Sequence, residues 1–422
     1  MEKLALLNGI ALRQKPFPKH PMIGIEEKKA VLEVLESGKL STFIAAPGKH
    51  FLGGEKIREF ERIVAEYHNV EYAVAFNSAT AALHAAVVAC GVQPGEEVIT
   101  TPYTFTSTAT CALMANAIPV FADICDDDYN IDPEDILKKI SPLSKVIIPV
   151  HLFGNSAKMN QIIKIAKENN LKVIEDCAQS PGALYQGRKV GTIGDCGILS
   201  FTENKNITSG EGGMLITDNE EIAHISRLVR NHGEAIIAGQ PRSYNSSILG
   251  WNYRMTEVDA AIGIEQFKKL DYFNTERIKL SEYLTNKINE IPGLKILPLA
   301  ERNKSVYYVL PIEYDEELIG IKRDLFVKAL VAEGISFGAG YAKPLYYSPI
   351  YHENKPFIYN YYTGNANYAP GSCPIAEEKH FKKLIITILC RPPADFEDMN
   401  DIIKAIKKVI EHKEELNRNV NN

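Results

Sequence analysis

Ser200-Phe-Thr-Glu-Asn-Lys205, followed by Gly210-Glu-Gly-Gly213, is the stretch on which the reading of this chain turns. Gly197-Ile-Leu-Ser-Phe-Thr202 has the composition of a short buried strand. Lys205 leaves its end into a glycine-rich turn, where backbone can approach a bulky ligand. Upstream, Asp176 closes a second apolar run, Leu171-Lys-Val-Ile-Glu-Asp176. In an open α/β sheet, ligands sit at the carboxyl ends of strands, where both residues are expected. A nucleophilic lysine needs a pocket without a carboxylate partner, so that its pKa can fall. On these two residues alone, two readings stand: a working pair, or a solvated loop lysine and a strand cap.

Other segments add to the first reading. Tyr72-Ala-Val-Ala-Phe-Asn-Ser78 reads as a strand and Thr80 to Cys90 as a helix, joined by Asn77-Ser-Ala-Thr80. Such a turn aims free N–H groups and a helix dipole at whatever lies above it, which suits a phosphate, although Thr80 as a plain N-cap explains the same residues. Glu97-Val-Ile-Thr-Thr101 is a further strand, running into Pro102-Tyr-Thr-Phe-Thr106. An aromatic there either lies flat on a cofactor ring or simply packs. A lysine with a strand-end aspartate is the pair that pyridoxal phosphate requires, one for a Schiff base and one for the pyridinium nitrogen.

Seven motifs in order carry a resemblance: Asn77-Ser-Ala-Thr80, Pro102-Tyr-Thr-Phe105, Pro149-Val-His-Leu-Phe-Gly154, Glu175-Asp-Cys-Ala-Gln179, Ser200-Phe with Lys205 and Gly210-Glu-Gly-Gly213, Arg230-Asn-His-Gly233, and Gly250-Trp-Asn-Tyr-Arg254. From about Pro21 to about Ile410 the chain resembles the DegT/StrS sugar aminotransferases, which are fold-type-I pyridoxal-phosphate enzymes. The resemblance implies an α/β fold, with a large domain built on a mainly parallel mixed sheet and a smaller α+β C-terminal domain. It makes Lys205 the Schiff-base lysine and Asp176 the partner of the pyridinium nitrogen. Gln179 would sit near the cofactor's phenolic oxygen and Phe105 would stack on its ring. Ser78, Ala79, Thr80, Ala81 and Ser200 would surround the phosphate, with Asn252 reaching it from the neighbouring subunit of a homodimer.

The implied activity moves an amino group, by resemblance from glutamate, to a keto-sugar that is expected to be nucleotide-linked. It would serve amino-sugar and polysaccharide biosynthesis, with ping-pong kinetics. The alternatives are a cyclitol or other non-nucleotide polyhydroxy ketone as acceptor, or a sugar dehydratase; Lys205 speaks against the dehydratase, which carries histidine there. The chain departs from the family at Gly53-Gly54, where many members have Gly-Pro, and at Pro344-Leu345-Tyr346, where they have Pro-Leu-His. Both positions lie where the family binds its second substrate, so that substrate's identity is left open.

Composition excludes more than it asserts. A net charge of −6 without a basic run argues against nucleic acid or an anionic membrane. The odd count of seven scattered cysteines lacks C-x-x-C spacing, so reduced thiols in a cytoplasm are expected, not disulfides or a metal site. The N-terminus lacks a signal-peptide pattern, and no apolar run approaches the ~20 residues of a membrane span.

The pattern divides into an N-terminal arm (1–60), a large cofactor-binding domain (61–270) and a small C-terminal domain (271–422). In the arm, a helix over Glu26–Ser37 would turn Ala30, Val31, Val34 and Leu35 to one face. Alternating strands and helices follow, then an amphipathic stretch over Thr256–Ile288. A strand is expected over Val306–Ile312, and a last helix from Asp395 whose Met399, Ile402, Ile403, Ile406 and Val409 keep helical period. The polar tail after His412 is expected to fray.

Single residues keep two readings each. His84, in an alanine-rich helix, reads better as packed than as a base, and His232 as a turn residue. His151 is balanced between packing and chemistry. Tyr341, Tyr346, Tyr347 and Tyr351 either contact a polyhydroxylated substrate or form a packed loop. Asp126-Asp-Asp128 reads as a solvated turn, too short for a calcium loop.

Overall fold

The computed structural model describes residues 3–44, 48–234, 244–353 and 355–420. Seven strands form the large sheet: β1 (Tyr72–Phe76), β2 (Glu97–Thr100), β3 (Ile118–Phe121), β4 (Ser144–Ile148), β5 (Lys172–Asp176), β8 (Cys196–Ser200) and β9 (Gly213–Thr217). A small hairpin, β6 (Leu184–Tyr185) with β7 (Arg188–Lys189), interrupts the series. The order is β1-β9-β8-β5-β4-β2-β3. Only β9 runs against its neighbours; the other six strands are mutually parallel.

Both faces of this sheet are covered, which is why its strands are predominantly apolar. Successive residues alternate between two cores. Ala73, Ala75, Ile99, Ile147, Val173, Leu199 and Ile216 face one, with Phe60 and Val64 of the helix Glu55–His68. Val74, Phe76, Val98, Ile148, Ile174, Ile198 and Leu215 face the other, against the alanine-rich helix Ala79–Ala89. Alanine side chains let that helix lie close to the sheet.

The second sheet is antiparallel: β10 (Leu294–Lys295), β11 (Leu310–Tyr314), β13 (Leu384–Thr387) and β12 (Gly338–Ala339), in that order. Leu310, Ile312 and Tyr314 turn inward from β11, while Pro311 and Glu313 are half-buried. The helix Phe396–Glu411 covers the sheet with Met399, Ile402, Ile403, Ile406 and Val409, the periodic face expected, and Asp395 caps its first turn. The start of the chain joins this core. Leu4 is buried in it, the amides of Ala5 and Leu12 each donate to Glu333 at 2.8 Å, and Arg13 pairs with Asp398 at 2.6 Å.

Several local expectations are corrected. The stretch Thr256–Ile288 is two helices, Glu257–Lys268 and Leu270–Ile288, broken at Lys269. The strand expected over Val306–Ile312 begins only at Leu310. Residues after His412 form a helix, Lys413–Val420, because Leu416 is buried against the second core. On the N-terminal helix Ile25–Ser37, Ala30 and Val34 pack against Ala261, but Leu35 is 54% exposed. No helix among the described residues is long and apolar enough to cross a membrane.

Candidate active site at the carboxyl edge of the large sheet

Asp176 is the last residue of β5 and is buried. Its Oδ2 accepts the Thr108 hydroxyl at 2.8 Å and its Oδ1 the Ala178 amide at 3.1 Å. Burial raises its pKa, while Thr108, Ala178 and the Lys205 charge favour the carboxylate and oppose that rise. The period of the strand sends Glu175 the other way. There it takes the amides of Gly191, Ile193 and Gly194, and His151 Nε2 at 2.9 Å. His151 Nδ1 accepts from the Ala157 amide at 3.0 Å, so both ring nitrogens are used in holding the fold. The packing role settles His151.

Lys205 lies in the turn after β8, with its amide donating to Thr202 O at 3.0 Å. No carboxylate among the described residues forms an ion pair with it; its Nζ sits 4.5 Å from the centre of the Tyr308 ring. Burial lowers its pKa to about 8, against the pull of Asp176. A desolvated amine without an ion-pair partner is the condition for a nucleophile.

Ser78 caps the helix Ala79–Ala89: its Oγ accepts the Ala81 amide at 3.1 Å. Thr80 is therefore not the N-cap. Its amide and that of Ala79 precede any intrahelical acceptor and stay available to an anion. Gly213, paired with Ser200 across β8 and β9, backs onto this turn. A Cβ on it would stand 2.4 Å from Ala79 N, so the glycine keeps the cradle open. Asn252 is exposed, its Oδ1 taking Arg254 Nε at 2.9 Å, and its backbone runs beside Asn77 of the same chain, whose amide donates to Tyr253 O at 2.9 Å. The cap of the following helix is Thr256, not Asn252.

Phe105, in the loop that follows β2, is 61% exposed. Gln179 Oε1 accepts the Phe153 amide at 2.9 Å, and its Nε2 donates to Tyr341 Oη at 2.9 Å. Of the four tyrosines, only Tyr341 thus touches a predicted site residue. Tyr346 and Tyr351 are buried against Phe121, and Tyr346 gives its hydroxyl to Glu377 at 2.5 Å. The family departure at Tyr346 is a core substitution. Gly53 and Gly54 are likewise structural: a Cβ would strike Phe43 at the first and Glu257 at the second.

His84 is packed, as expected, with Nδ1 3.1 Å from Tyr253 Oη and its ring on Trp251. His232 is an exposed turn residue with φ of 65°. The acid run is less solvated than expected. Asp126 pairs with Lys379 at 2.7 Å, and burial pushes Asp128 up to about 7. All seven cysteines are free. Sequence reading missed Thr108 and Tyr308. The hydroxyl-rich run Thr104 to Thr110 was the one available signal for the first.

These residues fit pyridoxal phosphate. An amine held near neutrality, a buried carboxylate with lone pairs to spare, and a helix start kept clear by Gly213 match its aldehyde, ring nitrogen and phosphate. The comparisons agree. Residues 22–407 match the DegT/DnrJ/EryC1/StrS aminotransferase family. The chain is 33% identical to the spore coat polysaccharide biosynthesis protein SpsC of Bacillus subtilis, over 92% of this chain and 96% of that one. It is 35% identical to GDP-perosamine synthase of Caulobacter vibrioides, over 75% and 81%. The aminotransferase structure from Psychrobacter cryohalolentis superposes with a TM-score of 0.84 at 27% identity, covering 94% of this chain and all of that one. A lysine and an aspartate at one sheet edge, in a sequence that matches the family over residues 22–407, make this chain a pyridoxal-phosphate-dependent aminotransferase of the DegT/DnrJ/EryC1/StrS family.

Proposed function

We propose that the enzyme takes an amino group from glutamate and delivers it to the ketone of a nucleotide-linked keto-sugar, in the cytoplasm, as a homodimer. The observation that carries this reading is the Lys205 amine, lowered to about 8 without a carboxylate ion pair, on the sheet edge that also ends in Asp176. Bound pyridoxal phosphate supplies the carbonyl that carries the nitrogen and an electron-poor ring that takes up electrons from the donor's α-carbon. Lys205 Nζ moves the proton between that α-carbon and the cofactor, as base and then acid. Asp176 holds a proton at the pyridine nitrogen, with Thr108 keeping the carboxylate ionised and oriented. Ser78, Ala79, Thr80, Ala81 and Ser200 hold the phosphate, Phe105 covers the ring, Gln179 meets the phenolic oxygen, and Asn252 closes the partner's site.

Tyr346 lies in the core, so its departure from the family gives no ground for preferring a cyclitol over a nucleotide-linked acceptor. A thermal-shift screen separates the acceptors, since only a true substrate or product stabilises strongly. Nucleotide-sugars should raise the melting temperature where free cyclitols and sugar phosphates do not. The reverse ranking would replace the acceptor, and a Lys205→Ala enzyme that still turns glutamate into 2-oxoglutarate at the native rate would end the assignment.

A further inference from the structure

The helix Leu270–Ile288 carries Asn274, Arg277 and Ser281 in successive turns on one buried face. Asn274 Oδ1 accepts from Nδ2 of Asn206, the residue after Lys205, at 2.9 Å. Further along the same face, Ser281 is buried near Cys390, the residue before Arg391. Arg277, between Asn274 and Ser281 on this face, shares its buried surroundings with Arg391. It is 1% exposed, and its Nε and Nη2 have no acceptor.

Other buried arginines are compensated: Arg230 pairs with Glu61 at 2.7 Å, and Arg13 with Asp398 and Asp401. Among the described residues no carboxylate pairs with Arg277 or Arg391. Burial first, and then the Arg391 charge, lower Arg277 to about 9. His20, whose Nε2 is 3.1 Å from Lys205 O, is lowered to about 4 by burial and by the same two arginines, so it stays neutral. Tyr308, under the Lys205 amine, faces both guanidiniums. Uncompensated positive charge is thus buried around Tyr308 and His20, the two side chains that touch the lysine turn, and its desolvation is costly unless an anion arrives.

We propose that Arg277 and Arg391 bind a substrate carboxylate beside Lys205, supplied either by the amino-acid donor or by an acid group on the acceptor. The planar fork of a guanidinium matches a carboxylate, and two forks fix its orientation as well as its charge. The inference rests on the aminotransferase reading above and adds to it the chemical class that this corner of the pocket selects.

The test uses holoenzyme, Arg391→Gln and Arg277→Lys, each checked for an unchanged circular dichroism spectrum. Arg391 is half-buried, so its variant keeps the test alive if the deeper one fails to fold. Glutarate, a dicarboxylate without an amine, and D-glucuronate against D-glucose are titrated by thermal shift. L-glutamate is titrated in the donor half-reaction by the cofactor's absorbance. If the donor's carboxylate binds here, half-saturation by glutamate and glutarate rises roughly 10- to 100-fold in Arg391→Gln, with the limiting rate changed far less. If the acceptor's acid binds here, glucuronate loses its advantage over glucose and glutamate is unaffected. Native affinities for all three carboxylates in Arg391→Gln overturn the site. A wild-type holoenzyme that takes nitrogen from no amino acid, yet binds glutarate through Arg391, would overturn the functional reading alone.

Discussion

The Thr108 hydroxyl donates to Asp176 Oδ2 at 2.8 Å, in the buried interior and across 68 residues of chain. This bond favours the ionised carboxylate, so removing it must raise the Asp176 pKa. Thr108→Val should lower kcat roughly 10-fold, the scale of a lost hydrogen bond to a charged group. It should also move the acid limb of the pH–rate profile upward. Asp176→Asn should cost more, roughly 100-fold or beyond, because an amide cannot hold the pyridinium proton. A Thr108→Val profile that overlays the native one would reduce Thr108 to packing.

Lys205 offers a stability test that needs no cofactor. Its amine is lowered to about 8 in the folded protein, against about 10.4 in an unfolded chain. Below pH 8 the folded state carries a desolvated ammonium, and that cost is present in full. It fades as pH rises between the two values and vanishes above both. Lys205→Met should therefore stabilise the cofactor-free protein at pH 7 by about 1–3 kcal/mol, the gain shrinking towards pH 10. Urea unfolding at both pH values measures it, and an equal gain at each would mean the amine is not perturbed.

Tyr346 tests what a family departure means. Its ring is buried and its hydroxyl donates to Glu377. Tyr346→Phe should cost about 1–2 kcal/mol of stability, since Glu377 loses a donor, and leave KM for the acceptor unchanged. A shifted KM would return this residue to the substrate pocket.

The shared-site reading of Asn252 is tested by mixing. Lys205→Ala and Asn252→Ala proteins are each expected to be weak, and in a mixed dimer one of the two pockets is native if Asn252 serves the partner's site. Activity should rise above either parent once subunits exchange. Exchange proven by mass spectrometry without recovery would place Asn252 in its own chain's site, beside Asn77.

What the sequence by itself determined is chemistry that local pattern carries. Apolar runs ending in Asp176 and Ser200, a glycine turn holding Lys205, and a helix face through Met399 and Val409 are read from neighbours a few residues apart. Tertiary structure decided the rest. The choice of Ser78 over Thr80 as cap depends on the φ and ψ at which the strand stops. The burial of Leu416 depends on a core formed by distant strands and helices, which overrides the polarity of its own segment. Thr108 meets Asp176, Arg277 goes unpaired and Tyr346 turns inward for the same physical reason. Burial and hydrogen-bond partners are set by which chain segments meet, and residues far apart in sequence carry no periodic signal of that meeting.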